Sequence, residues 1–68
     1  MPVGQIIHVH PDGYGFIRQF ERGAPDVFFR RKALLDIPFD RALGRHVRFD
    51  IHPATKGTGQ KALAVWPE

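Results

Sequence analysis

The chain has 68 residues, a net charge of +3 from ten lysines and arginines against seven aspartates and glutamates, and no cysteine. This length predicts a single domain over residues 1–68, and the lack of cysteine excludes disulfide bonds and thiolate metal sites. A hydrophobic fraction of 43% excludes an intrinsically disordered chain, because it is enough to form a core.

Glycine and proline divide the chain into short apolar segments, several of which alternate with the period of two that is typical of β-strands. In chain order, five strands are predicted at residues 3–10, 14–20, 26–31, 45–52 and 60–66. Turn signals separate them, including Pro11-Asp12-Gly13 after the first strand and Lys56-Gly57-Thr58-Gly59 before the fifth. One helical or 3₁₀ turn is predicted near Ala33–Asp36, before Pro38.

Five short strands favour a small barrel that is closed or nearly closed, because closure removes the unpaired strand edges that promote aggregation. Three strands, a longer connection and two more strands fit an all-β fold, a five-stranded antiparallel Greek-key barrel of the OB type. The fourth strand alternates most clearly, with Val47, Phe49 and Ile51 on one face. In the fifth strand, Leu63 and Val65 are expected to point inward.

The second and third strands carry aromatic residues on the face that a core would leave outside. If Ile17, Val27 and Phe29 point inward, five side chains point outward as cross-strand neighbours within about 5–8 Å. These are Tyr14, Phe16, Arg18, Phe28 and Arg30. A register slip of one residue would invert this arrangement. The glycines that alternate with the rings favour the outward orientation, since an inward glycine lets a curved strand approach its neighbours.

An exposed patch of rings edged with arginines normally marks a binding site. Flat rings at strand spacing can stack nucleobases, and neighbouring cations, here including the consecutive Arg30-Arg31-Lys32, can contact phosphates. Single strands are favoured over duplexes, whose bases already stack on each other. The alternative is a protein-interaction module that docks a peptide or a subunit on the same rings and arginines.

Two segments resemble the paired ribonucleoprotein motifs of the cold-shock domain family, "GYGFI" at residues 13–17 and "DVFFR" at residues 26–30. The resemblance extends over nearly the whole chain, through "KGTGQKALAV" near the end. The chain departs from the family's usual pattern in strand one, where Ile7 and His8 replace a lysine and a tryptophan. Asp12 stands in place of the lysine ahead of the first motif, and Arg31-Lys32 follow the second motif in place of Phe-Ser.

The resemblance implies an OB-like barrel that binds single-stranded RNA or DNA with little sequence specificity. Tyr14, Phe16 and Phe28 match the family's stacking aromatics, Arg30 takes the place of a motif histidine, and Phe39 matches a peripheral aromatic. The predicted auxiliary contacts are His8, Arg18 and Lys56, followed by Arg31 and Lys32. The implied role is that of a monomeric RNA chaperone or a modulator of transcription or translation.

Other functions find little support in the sequence. Serine and cysteine are absent and no carboxylates are paired, so neither an enzyme nor a cofactor is predicted. His8 and His10 lie two residues apart on one strand but lack a third ligand, so no metal site is predicted. No membrane segment or targeting signal is recognised, and the expected location is cytoplasmic. Trp66 is equally compatible with a core position and a binding position.

Overall fold

The structure, a computed structural model, describes residues 1–54 and 59–68. Its fold is all-β, and seven strands form one sheet that curls into an open half-barrel. The strands are β1 (Val3–His10), β2 (Tyr14–Gln19), β3 (Val27–Arg30), β4 (His46–Phe49), β5 (His52–Pro53), β6 (Gln60–Ala62) and β7 (Val65–Pro67). Across the sheet they lie in the order β5-β6-β3-β2-β1-β4-β7.

The predicted count of five strands is wrong, because the last two predicted strands are each interrupted. The fourth is divided into β4 and β5 at residues 50–51, and the fifth into β6 and β7 at residues 63–64. At the interruption, the Asp50 carboxylate accepts hydrogen bonds from the backbone N–H groups of Leu63, at 2.7 Å, and Ala64, at 3.0 Å. The Asp50 side chain thus replaces backbone carbonyls as the hydrogen-bond acceptor between the β4–β7 pair and the β5–β6 pair.

The predicted antiparallel pairing does not hold for one strand pair. β3 and β6 pair in parallel, with Val27 opposite Gln60 and Phe29 opposite Ala62, whereas the other strand pairs are antiparallel. This pairing joins strands that are far apart in the chain. It arises from the curl of the sheet rather than from a hairpin, which is the only kind of pairing that a turn signal predicts.

One cluster of buried apolar side chains lies inside the curled sheet. Its members are Ile6, Ile17, Val27, Phe29, Ala33, Ile37, Ala42, Val47, Phe49, Ala62 and Val65. The predicted inward orientation is confirmed for Ile17, Val27 and Phe29, which are fully buried. It is wrong for Leu63, which is 57% exposed. The break after β6 shifts the alternation there, so that Ala62 and Val65, three residues apart, are both buried.

Short 3₁₀ turns occupy part of the long connection between β3 and β4. They span Arg31–Ala33 and Phe39–Arg41, so a 3₁₀ turn before Pro38 is confirmed, but it overlaps the predicted range Ala33–Asp36 only at Ala33. Leu34, which follows the first turn, is extended and bridges to Val65, and the Leu35 N–H donates to the Val65 carbonyl at 2.8 Å. In residues 1–54 and 59–68, no helix is long and apolar enough to cross a membrane.

The Asp50 carboxylate has an altered pKa. Burial alone would raise it, but the Ala64 N–H, the His52 side chain and the Leu63 N–H together outweigh burial, so the pKa lies below the usual value of 3.8. The Nε2 atom of His52 lies 3.1 Å from the Asp50 carboxylate. The ionised carboxylate therefore stabilises the fold above pH 3.8, and this stabilisation is lost as the pH falls through the lower, folded-state pKa.

We expect Asp50→Ala to lower the free energy of unfolding by about 1–3 kcal/mol near neutral pH, because two backbone donors lose their acceptor. Urea denaturation of both proteins measures the difference, which should shrink as the pH falls below 3.8 and through the lower pKa of the folded state. Asp50→Asn is the control, since it keeps one acceptor oxygen without the charge. An equal stability of wild type and Asp50→Ala at neutral pH would contradict this role of the carboxylate.

Candidate nucleic-acid interface

The outer surface of β1, β2 and β3 carries a continuous group of rings, which we call the aromatic face. It consists of His8, His10, Tyr14, Phe16 and Phe28. The strand register arranges it in two rows. One row runs from His10 through Tyr14 to Arg30. The other runs from His8 through Phe16 and Phe28 to Lys61 on β6.

A fully buried layer holds the aromatic face from behind. Ile17, Val27 and Phe29 alternate with the outward rings along β2 and β3, and each has no exposed surface. Gly15 is also buried, and a Cβ atom at this position would lie 2.7 Å from Cζ of Phe29 and would also meet the His8 carbonyl. The absence of a side chain at this position therefore lets β1 and the Phe29 ring approach β2 closely.

The three rings predicted to stack bases contact one another. The centroids of Phe16 and Phe28 are 5.7 Å apart with the rings inclined at 67°, and those of Tyr14 and Phe28 are also 5.7 Å apart. Tyr14 and Phe16 meet edge to face at 6.2 Å. These are favourable distances for aromatic pairs. Mutual contact leaves the rings half-buried and outside the core, so they form an ordered apolar surface.

A β-bulge in β1 adds two histidines to this surface. Ile6 is buried opposite Ile17, the register then shifts, and His8 lies opposite Phe16 and is exposed. Without the extra residue, strict alternation would turn His8 toward the core, as it does Ile6. His10 follows on the outer side and stacks on Tyr14, with ring centroids 4.6 Å apart and an angle of 10°.

Cationic side chains border the aromatic face. The Arg30 guanidinium carbon lies 5.4 Å from the centroid of the Phe28 ring, within the range of cation–π contacts. Arg18 is exposed, and its Nη2 donates to the Gln5 side-chain oxygen at 3.4 Å. In the part of the chain that the structure describes, no arginine forms an ion pair with a carboxylate. The guanidinium groups near the rings are therefore not neutralised by ion pairing with acidic side chains.

Two grooves are bordered by Arg30. The larger, of about 730 Å³, runs beside Phe16 and Phe28 and is also bordered by Asp26 and Lys61. The smaller, of about 670 Å³, lies against the turn between β1 and β2. Arg30 and Lys32 border both grooves, and Arg31, between them in the sequence, borders the smaller one. One acidic residue reaches each groove, so the balance of charge at their shared border is positive.

Some residues singled out in the sequence lie outside the aromatic face. Phe39 is half-buried against the core, and the guanidinium carbon of Arg31 lies 5.3 Å from its ring centroid. These two residues form an aromatic–cationic pair between the two 3₁₀ turns that follow β3. Lys56 lies outside the described residues. Asp12 is exposed at the turn, where its backbone N–H donates to Nδ1 of His10 at 3.1 Å.

Two residues of the aromatic face and its border were not predicted as site residues. His10 enters it through the bulge, and Lys61 through the parallel pairing of β3 and β6. Neither the bulge nor this pairing leaves a local pattern in the sequence. Only the spacing of His8 and His10, two residues apart, indicated that both could share a face.

Residues 1–54 and 59–68 contain no group of three or more histidine, aspartate or glutamate side chains that is suited to hold a metal ion. Comparison with known protein families finds no family model that matches the chain, and comparison with curated proteins finds no match either. The function is therefore inferred from the geometry of the aromatic face and its cations.

Proposed function

We propose that this protein binds single-stranded nucleic acid, RNA or DNA, by stacking bases on Tyr14, Phe16 and Phe28. The observation that carries the proposal is the contact of these three rings on the outer sheet surface, with centroids 5.7–6.2 Å apart. An aromatic platform beside cationic side chains is the usual device for binding single strands, with each stacked base contributing about 1–3 kcal/mol.

The cations are placed to contact the backbone of a strand whose bases lie on the rings. Arg30 shares a row with Tyr14 and also contacts Phe28, so its guanidinium can reach a phosphate next to either ring. Lys32 borders both grooves. A paired duplex would bring its phosphates rather than its base faces to this surface, so single strands are the preferred ligand.

We further propose that the fold is a cold-shock-like Greek-key barrel of the OB type. Two features support this. Only two residues separate β4 from β5, and only two separate β6 from β7. This is the spacing expected if each pair is one bent strand of a five-stranded barrel. The segments that resemble the ribonucleoprotein motifs form β2 and β3, and their rings share the outer face. Such a protein would act without catalysis, as an RNA chaperone or a modulator of transcription or translation with low sequence specificity.

The salt dependence of binding tests this function. Each phosphate contacted on a single strand contributes about −0.7 to the slope of log K against log salt concentration. For an oligomer of about four nucleotides, which covers the aromatic face alone, contacts from Arg30 and Lys32 predict a slope of about −1.4, measured by titrating labelled oligouridylate or oligothymidylate across a salt series. Replacing either residue with glutamine should reduce the slope by about 0.7.

Arg41→Gln is the matched control, because Arg41 is exposed but borders neither groove. Its slope should equal that of the wild type. An affinity for the labelled oligonucleotide that depends on neither salt nor oligonucleotide length would show that no phosphates are contacted. It would instead support the alternative, in which the same face docks a protein. A lack of binding at low salt would overturn the nucleic-acid proposal.

A further inference from the structure

A second group of aromatic and basic side chains lies on the outer sheet surface, beyond the aromatic face. We call it the distal patch, and it consists of Arg18, Phe20, His46, Arg48 and Trp66. The outward residues of β2 continue from Phe16 to Arg18, and Phe20 follows just after the strand. In the next row, Arg18 lies opposite Gln5, which lies opposite His46. The last row runs from Val3 through Arg48 to Trp66.

The strand register fixes which way these side chains point. Val47 and Phe49 are fully buried, so Arg48 between them points outward, and Trp66, its partner on β7, lies on the same side. The Phe20 N–H donates to the Val3 carbonyl at 3.2 Å, which extends the β1–β2 ladder past the end of β2. The position of Phe20 is thus set by the backbone.

The distal patch presents large apolar groups outside the core. Phe20 is 45% exposed, and its ring packs edge to face on His46 with centroids 5.3 Å apart. Trp66 is half-buried. Neither Arg18 nor Arg48 forms an ion pair with a carboxylate in the described part of the chain. Rings held edge to face beside unpaired guanidinium groups are the same combination that forms the aromatic face.

The two surfaces are continuous. Tyr14, Phe16, Arg18 and Phe20 follow one another on the outer side of the same strand and its extension, and four residues of strand span roughly 13 Å between Phe16 and Phe20. Arg18 lies between the two groups of rings, where a phosphate of a strand crossing from one to the other would pass. The positive charge of this surface favours a polyanionic partner over a protein surface that carries few acidic residues.

We propose that the distal patch binds further nucleotides of the strand held by the aromatic face, with a base contacting Phe20 or Trp66 and phosphates contacting Arg18 and Arg48. The inference rests on the proposed function and extends it, since it makes the binding site longer than the aromatic face. Oligonucleotides long enough to reach both surfaces then bind more tightly than those that cover the aromatic face alone.

The test compares labelled oligothymidylates of about four and about twelve nucleotides, within the range of site sizes known for OB folds. We expect Phe20→Ala to weaken binding of the long oligomer at least about fivefold and to leave the short one unchanged. A longer strand offers more binding registers, but this affects the variant and the wild type equally, because they are compared at the same oligomer length. Phe16→Ala should weaken binding of both lengths.

Trp66 provides an independent readout, because it is the one tryptophan of the chain. Its fluorescence should change on saturation with the long oligomer and stay constant with the short one. Leu43→Ala is the matched control for Phe20→Ala, since Leu43 is an apolar side chain, 61% exposed, that belongs to neither surface. It should behave as the wild type at both lengths.

The inference is overturned if Phe20→Ala and Arg48→Gln both leave the affinity for the long oligomer unchanged and Trp66 emission does not respond to it. It is also overturned if the wild type self-associates and Phe20→Ala abolishes the association without affecting oligonucleotide binding, because the patch then contacts a second copy of the chain. Binding of the short oligomer in these cases leaves the proposed function standing. If neither length binds at low salt, both proposals fail.

Discussion

Replacing Phe29 with alanine is expected to lower the free energy of unfolding by about 3–5 kcal/mol, the usual cost of deleting a phenyl ring from a core. Phe29 has no exposed surface, and its ring lies against Gly15. A domain of this size is stabilised by only roughly 3–10 kcal/mol, so the variant should lose a large part of this stability and be unfolded if the wild type lies at the lower end of the range. Chemical denaturation followed by circular dichroism measures the change.

Phe28→Ala is the matched control, since it removes the same ring from the adjacent position on β3. Phe28 points outward and loses mainly its contacts with Tyr14 and Phe16, which predicts a cost of about 1–2 kcal/mol. Phe28→Ala should therefore remain folded under conditions in which Phe29→Ala does not. If Phe28→Ala were the more damaging change, the register of β3 would be inverted and the aromatic face would not exist.

The second large effect is expected in binding. Replacing Phe16 and Phe28 together with alanine should weaken the affinity for a short single-stranded oligonucleotide by about 30-fold or more, since two stacking surfaces of about 1–3 kcal/mol each are removed. The single variants should each lose about fivefold or more. Because the two rings touch, the double variant need not equal the sum of the single ones. Fluorescence anisotropy of a labelled oligonucleotide at low salt measures all three.

The control for this experiment keeps a planar ring at each position. Phe16→Tyr and Phe28→Tyr should bind with nearly the wild-type affinity, because the ring face that would stack a base is retained. Circular dichroism spectra should show that all the variants tested are folded. A folded double alanine variant with wild-type affinity would show that bases do not stack on these rings.

The parts of the fold that depend on local alternation could be predicted from the sequence. Ile17, Val27 and Phe29 were assigned to the core from the period of two in their strands, and all three are fully buried. The same alternation places Val47 and Phe49 in the core. Period two is a property of the strand itself, so it needs no knowledge of which strand lies alongside.

Features that depend on distant partners could not be predicted. The carboxylate of Asp50 interrupts two ladders because it meets Leu63 and Ala64, which lie 13 and 14 residues further along the chain. The parallel pairing of β3 with β6 joins segments more than thirty residues apart, for example Val27 and Gln60. Such contacts follow from the curl of the sheet, which no short segment encodes.

The candidate site shows the same division. Tyr14, Phe16, Phe28 and Arg30, predicted from two neighbouring strands, lie together on the outer surface. Phe39, assigned through the resemblance alone, lies apart from these rings and packs against the core. The contributions of β1 and β6 depend on a bulge and on a non-local pairing, so His10 and Lys61 became apparent only from the three-dimensional arrangement.

The most direct test of the central claim is an NMR titration that follows the aromatic ring protons during addition of a short oligothymidylate. If bases stack on the aromatic face, the ring signals of Tyr14, Phe16 and Phe28 should move upfield in step with binding. Those of the buried rings, Phe29 and Phe49, should change little. Ring signals of Tyr14, Phe16 and Phe28 that stay unchanged while the oligonucleotide binds, or that fail to respond because nothing binds at low salt, would contradict the account.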